Sequence, residues 1–169
     1  GMSLRGLFVK NYRNTRHFNT GLGELNEPEW EACLAQVRSM TADEIGAHQV
    51  FKGHMPFGLH EAIPGRCRYI TFLRDPVARA LSHYRMALRP PPLPTPPRLD
   101  PSRPDWNLGA CPALARSFDN GQVRALSGAG LSLPFGACSE EHRRQARRNF
   151  NEHFAFVGLT EHFDLSLLL

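Results

Sequence analysis

Residues 69–84 read Tyr69-Ile70-Thr71-Phe72-Leu73-Arg74-Asp75-Pro76-Val77-Ala78-Arg79-Ala80-Leu81-Ser82-His83-Tyr84, and this run decides the fold. Its first half, which reaches back to Cys67, is rich in β-branched and aromatic residues and predicts a strand. The strand stops at Arg74-Asp75-Pro76, where Asp75 suits a helix N-cap and Pro76 the first helical position. A strand passing through a tight turn directly into a helix is therefore expected. In that helix Val77, Leu81, Tyr84 and Leu88 recur at i, i+4, i+7 and i+11, which predicts one buried stripe. Arg79, Ser82 and Met86 fall on a different face.

Working outward, His48–Lys52 is a second strand candidate, closed by Gly53. Before it, Asn26 reads as an N-cap with Pro28 and Glu29 in the first turn. Trp30, Cys33, Leu34 and Val37 then form a core-facing helical stripe that ends near Met40. Ser3 to Tyr12 has helical spacing of Leu4, Leu7 and Phe8, and a loop with Gly21 and Gly23 follows it. Downstream, residues 90–104 hold eight of the 14 prolines, so a stiff surface insertion is expected at about 89–105. A helical segment at Pro112 to Phe118 leads to a turn at Asp119-Asn120-Gly121. Helix resumes over Gln122 to Leu126 and ends at Ser127-Gly128. Ser139 caps the last long helix, on which Arg143, Arg144, Arg147 and Arg148 read as a solvated face. Phe154–Leu159 is a strand, and Thr160 is expected to cap a final helix. Alternating strands and helices predict an α/β fold with a mainly parallel sheet, in a single domain over residues 1–169.

Composition narrows the function classes. Hydrophobic residues at 41% and charged residues at 21% describe a globular chain, not a disordered one. No stretch nears the roughly 20 apolar residues that cross a bilayer, and the N-terminus is too polar for a secretory signal. Of 20 Lys+Arg residues only Lys10 and Lys52 are lysine, and the other 18 are arginine. Arginine is the planar fork that fits phosphate, sulfate and carboxylate oxygens. A net charge of +4 spread along the chain is no nucleic-acid tail. Cys33, Cys67, Cys111 and Cys138 have no metal-ligand spacing, so no metal is expected and a reducing, cytoplasmic setting is. The alternative setting is the Golgi lumen, with an anchor removed.

A strand ending in Arg-Asp-Pro at a helix start is a way to hold an anion. The helix N-terminus offers N–H groups and a positive dipole end, and Arg74 adds a clamp. In open parallel sheets ligands sit outside the carboxyl ends of strands, where Arg74 falls.

Arg74, Asp75, Pro76, Arg79, Ser82 and Tyr84 together resemble the 3′-phosphate-binding segment of sulfotransferases, RDPxxRxxSxY after a hydrophobic strand. Lys52-Gly53-His54-Met55-Pro56-Phe57-Gly58, Phe118 to Gly128, and Phe156 to Asp164 resemble the carbohydrate branch of that family, the heparan-sulfate 2-O-sulfotransferase-like group. The resemblance covers roughly residues 48–88 and 118–169 in the family's order.

It implies a P-loop-NTPase-like three-layer α/β/α fold and sulfuryl transfer from 3′-phosphoadenosine 5′-phosphosulfate (PAPS) to a carbohydrate hydroxyl, leaving adenosine 3′,5′-bisphosphate. By family position Arg74 and Ser82 would bind the 3′-phosphate, with Arg79 beside them. The other reading pairs Arg74 with a carboxylate. His54 is the candidate general base, since neutral imidazole suits proton abstraction near neutral pH, and His48 is its reserve. Arg124 is expected at the nucleotide and Gln122 at the acceptor, with solvation of the helix surface as the alternative for both.

The chain departs from the family at its start. The family's first strand and its glycine-rich loop, approximately Pro-Lys-x-Gly-Thr-[ST]-[ST]-Leu, bind the 5′-phosphosulfate. Met2-Ser3-Leu4-Arg5 aligns only with the end of that loop. A missing first strand, weak or absent catalysis, and a sheet edge open to a second copy are expected. The alternative function is a non-catalytic anion-binding module that keeps only the 3′-phosphate half-site.

Overall fold

The structure, a computed structural model, describes residues 16–19, 27–88, 115–116, 118–130 and 133–168. Helix α1 spans Glu27–Ser39, and its apolar stripe is inward as expected: Trp30, Cys33, Leu34 and Val37 are all buried. Phe18 and Leu59 complete this core. Phe18 belongs to β1, Arg16–Asn19, a strand the sequence did not announce. Four residues without a β-branched side chain carry little strand propensity. Pairing supplies the order instead. β1 runs parallel to β2, His48–Lys52, with Phe18 opposite Phe51 and Asn19 opposite Lys52.

Between α1 and β2 lies a short helix, α2, Ala42–Gly46, also unannounced. A capping box starts it: Thr41 Oγ1 accepts the Glu44 N–H at 3.2 Å, and the Glu44 carboxylate accepts the Thr41 N–H at 2.7 Å.

A second sheet pairs β3, Tyr69–Leu73, with β4, Phe154–Leu159, again in parallel, with Thr71 opposite Val157 and Leu73 opposite Leu159. Gly158 gives its neighbour the space a side chain would take. A Cβ built there would stand 2.4 Å from the Phe72 ring. β3 turns into α3, Pro76–Ala87, where Asp75 Oδ1 accepts the Ala78 N–H at 2.8 Å as the expected N-cap. Helix α4, Gly121–Ser127, packs on α5, Glu140–His153. Their contact buries Asn149, whose Nδ2 donates to the Leu126 carbonyl at 2.8 Å. The fold is thus mixed α/β, with two two-stranded parallel sheets among the described residues.

Two expectations change. The stripe of α3 faces outward: Val77 is 67% exposed and Leu81 50%, and no residue of this helix is buried. On a 3.6-residue repeat, the opposite and more sheltered face carries Arg79, Ser82 and His83. Thr160 does not cap a helix through its side chain. It begins a 3-10 turn, Thr160–His162, ahead of α6, Phe163–Ser166, and its hydroxyl donates to the Leu73 carbonyl at 2.8 Å. The expected helix at Ser3 to Tyr12, the proline-rich insertion and Cys111 lie outside the described residues. Among those described, no helix is long and apolar enough to cross a membrane, and no group of three His, Cys, Asp or Glu is placed to hold a metal ion.

Candidate functional site

The end of β3 is fastened by two segments, the Thr160–His162 turn and helix α4. The Leu73 carbonyl takes the Thr160 hydroxyl. The Arg74 N–H donates to Gln122 Oε1 at 2.8 Å, while the Arg74 carbonyl accepts from Gln122 Nε2 at 2.7 Å. One residue further, the Asp75 N–H donates to Glu161 Oε1 at 2.9 Å. With main-chain groups so satisfied, the Arg74 guanidinium is left as an exposed cation at the start of α3. Its nearest carboxylate, Glu161, lies 3.9 Å from Nε, and both side chains are well exposed. A pair of that kind holds an arginine weakly. The Asp75 N–H, more than Arg74, keeps the Glu161 carboxyl below the usual carboxylate range.

Arg79 comes from the inward face of α3 and lies against the first residue of α4. A Cβ at Gly121 would stand 2.7 Å from Arg79 Nη1, so a larger residue there would push the end of the guanidinium aside. Partial burial lowers the Arg79 pKa. One turn along, His83 is half-buried. Burial first, then the positive charges of Arg79, His54 and Arg74, push its pKa below the ordinary histidine value. Arg79 shares the sheltered face of α3 with this imidazole. His54 itself is exposed, in the bend that follows β2, and Ser82 is half-buried on α3. Neither the Ser82 hydroxyl nor the His54 ring makes a hydrogen bond among the described residues.

Gln122 and Arg124 occupy other roles than those expected. Gln122 is the tie on the Arg74 backbone. Arg124 is 3% exposed and spends its guanidinium within the protein. Its Nε donates to the Asp119 carbonyl at 2.7 Å, Nη1 to the Leu133 carbonyl at 2.6 Å, and Nη2 to the Pro134 carbonyl at 2.7 Å and to the Asp119 carboxylate. Burial pushes the Asp119 carboxyl up, but the bonds from Arg124, Gly136 and Asn120 outweigh it and leave the pKa lowered. Arg124 thus fixes the loop after α4, and its donors do not face the cluster. The arginines of α5 are exposed, with Arg143 paired to Glu140, and Arg144 and Arg148 to Glu141, as a solvated face requires.

Sequence reasoning missed His83 and Glu161. His83 stands four residues after Arg79, a spacing that puts two helical residues on one face, so its signal was present. Glu161 lies 87 residues beyond Arg74, and only the pairing of β3 with β4 brings it there.

A second cluster lies among His60, Tyr69, His153 and Phe57. The Tyr69 hydroxyl accepts the His60 N–H at 3.0 Å and the Gly58 N–H at 3.4 Å. The same hydroxyl lies 2.9 Å from His60 Nδ1, in hydrogen-bond contact. Burial, and then the charge on His153, lower the His60 pKa, and the two rings lie 4.6 Å apart between centroids. This is a packed aromatic junction joining the 57–60 segment, β3 and the end of α5.

Searches of protein families, of curated proteins and of solved structures return no match to this chain. The chemistry of the site rests on its own residues. Exposed Arg74 at a capped helix start, with Arg79 and Ser82 further along the same helix, is a set of groups whose chemistry suits an oxyanion.

Proposed function

We propose that the chain is a PAPS-dependent sulfotransferase domain acting on a carbohydrate hydroxyl, and that the turn at Arg74 is its 3′-phosphate site. The observation that carries this reading is the exposed Arg74 guanidinium at the capped start of α3, beyond the carboxyl end of a parallel strand, with Arg79 of the same helix lying against Gly121. The resemblance of residues 69–84 to the family's phosphate segment supports it. A P-loop-NTPase-like three-layer fold is the matching architecture. Two parallel sheets of two strands each support that as well, because β2 and β3 each keep an edge that no described strand covers. A further strand, or a second copy of the chain, would pair there.

The residues present suit a 3′-phosphate. Arg74 and Arg79 offer planar donors, and the Ser82 hydroxyl adds one with no competing bond among the described residues. Bound PAPS supplies a sulfuryl group on a phosphate leaving group. The chain's own part is to hold the nucleotide through Arg74, Arg79 and Ser82, and to take the acceptor hydroxyl's proton on the His54 imidazole as the new oxygen–sulfur bond forms. A second reading, an anion-binding module that holds the 3′-phosphate without turnover, rests on the same exposed Arg74 at the start of α3.

Calorimetric titration of adenosine 3′,5′-bisphosphate tests both. Wild type is expected to bind, and Arg74→Ala to bind at least about tenfold more weakly, as loss of a hydrogen bond to a charged group implies. Equal affinity in the two proteins would sink the site. Turnover of PAPS with a sugar acceptor, abolished in His54→Ala, supports the transferase. Binding without turnover supports the module.

A further inference from the structure

Glu161 reaches the turn at Arg74 on a fixed backbone. Leu73 stands opposite Leu159 in the parallel pair of β3 and β4, and the Thr160 hydroxyl donates to the Leu73 carbonyl at 2.8 Å. The next residue, Glu161, is thereby delivered beside the start of α3. Its side chain is held far less firmly. Oε1 accepts the Asp75 N–H at 2.9 Å and lies 3.9 Å from Arg74 Nε, and 39% of the side chain stays in water. An exposed pair of this kind shifts an equilibrium by at most about fivefold.

The carboxylate is nonetheless the anion of this turn. It lies on a guanidinium and on a main-chain N–H at a helix start, the two kinds of group that draw an oxyanion. The other polar side chains here are spent elsewhere. Asp75 Oδ1 accepts the Ala78 N–H at 2.8 Å as the N-cap, and the neutral Gln122 amide bonds to the Arg74 main chain. The Asp75 N–H, and then Arg74, hold the Glu161 carboxyl below the usual carboxylate range, so it is charged at neutral pH. A phosphate entering the turn is repelled by this charge and claims the same donors.

We propose that Glu161 is an internal competitor at the Arg74 site: its carboxylate stands in for the 3′-phosphate while the site is empty and swings off Arg74 and the Asp75 N–H as the phosphate binds. This rests on the 3′-phosphate reading of the turn and adds to it a residue that sets specificity. A ligand must bring more charge than a carboxylate does to displace one, and a phosphate dianion brings it. No covalent bond changes; one acceptor takes the place of another.

The experiment is calorimetric titration of adenosine 3′,5′-bisphosphate, near neutral pH and at low salt, into the whole chain as wild type, Glu161→Gln and Arg74→Ala. Glu161→Gln keeps an acceptor for the Asp75 N–H and removes the charge. Its affinity is expected to rise about three- to tenfold, and the gain to shrink as salt is added. Adenosine 5′-phosphate, which has no 3′-phosphate, is expected to gain less than about twofold from the same change. In wild type, the titration midpoint of the Glu161 side-chain carbon NMR signal is expected to move up at saturating bisphosphate, because the groups that hold it down pass to the ligand. A residue that only fastens the fold gives unchanged or weaker binding in Glu161→Gln. That result, an equal gain for adenosine 5′-phosphate, or an unmoved Glu161 midpoint would each overturn the proposal and leave the 3′-phosphate site standing. No binding by wild type, or equal binding by Arg74→Ala, removes the site and the proposal together.

Discussion

Helices α1 and α3 carry the same kind of pattern and meet opposite fates. In α1 the stripe of Trp30, Cys33, Leu34 and Val37 closes the core over Phe18 and Leu59. In α3 the stripe of Val77, Leu81, Tyr84 and Leu88 stands in water, while arginine and histidine lie on the sheltered side. Periodicity tells which residues share a face. Whether that face is covered depends on what else the chain brings to it. For α1, strand β1 and the turn at Leu59 supply the cover. For α3, the elements nearby offer polar fastenings instead: the Asp75 cap, the Gln122 clamp and the glycine that admits Arg79.

The sharpest contrast is a pair of substitutions. Trp30→Ala is expected to cost about 3–5 kcal/mol in urea unfolding, as for other large buried aromatics. Leu81→Ala in α3 should stay within about 0.5 kcal/mol, as at other exposed positions. A loss above about 1.5 kcal/mol at Leu81 would show that something covers the stripe in solution, and the two helices would then be alike. Next in size is the cap. With no buried residue in α3, Asp75→Ala should cost about 1 kcal/mol in the same assay and fray the first turn of the helix. An unchanged stability would mean that α3 is held by packing after all.

The smallest effect concerns acid. The folded protein disfavours protonated His60, whose pKa is lowered, so the unfolded chain binds the extra proton first. This contribution is full above the unfolded value of about 6.5 and is lost as pH falls from there to the folded value. Thermal melts near neutrality and at about pH 5.5 should show the loss, and His60→Gln should flatten it. The same slope in both proteins would assign it elsewhere.

Much of the fold was legible in sequence because its signals are local. The stripe of α1, the β-branched run of β3, the Asp75-Pro76 start of α3 and the glycine ending α4 each act within a few residues. The capping box before α2 was equally local, in Thr41-x-x-Glu44, and was there to be read. What escaped depends on contacts between distant segments. β1 is a strand because β2 lies beside it. Arg124 is buried because the carbonyls of Leu133 and Pro134 close around it. The candidate site divides in the same way. Arg74, Arg79 and His54 were readable as residue types in a pattern. That Gln122 serves the backbone, and that Glu161 sits beside Arg74, follows only from the pairing of β3 with β4 and the placement of α4.

The two hydrogen bonds of Gln122 have a geometric consequence. Its side-chain amide gives the Arg74 peptide groups one acceptor and one donor, the same pair that a neighbouring strand would offer. Together with the Thr160 hydroxyl on Leu73, it fixes the chain at consecutive residues and works as a registration pin. A strand that slips by one residue turns every side chain to its other face. With this pin in place, a slip would break three hydrogen bonds at once, so the guanidinium at position 74 is delivered to the same side of the sheet each time the chain folds.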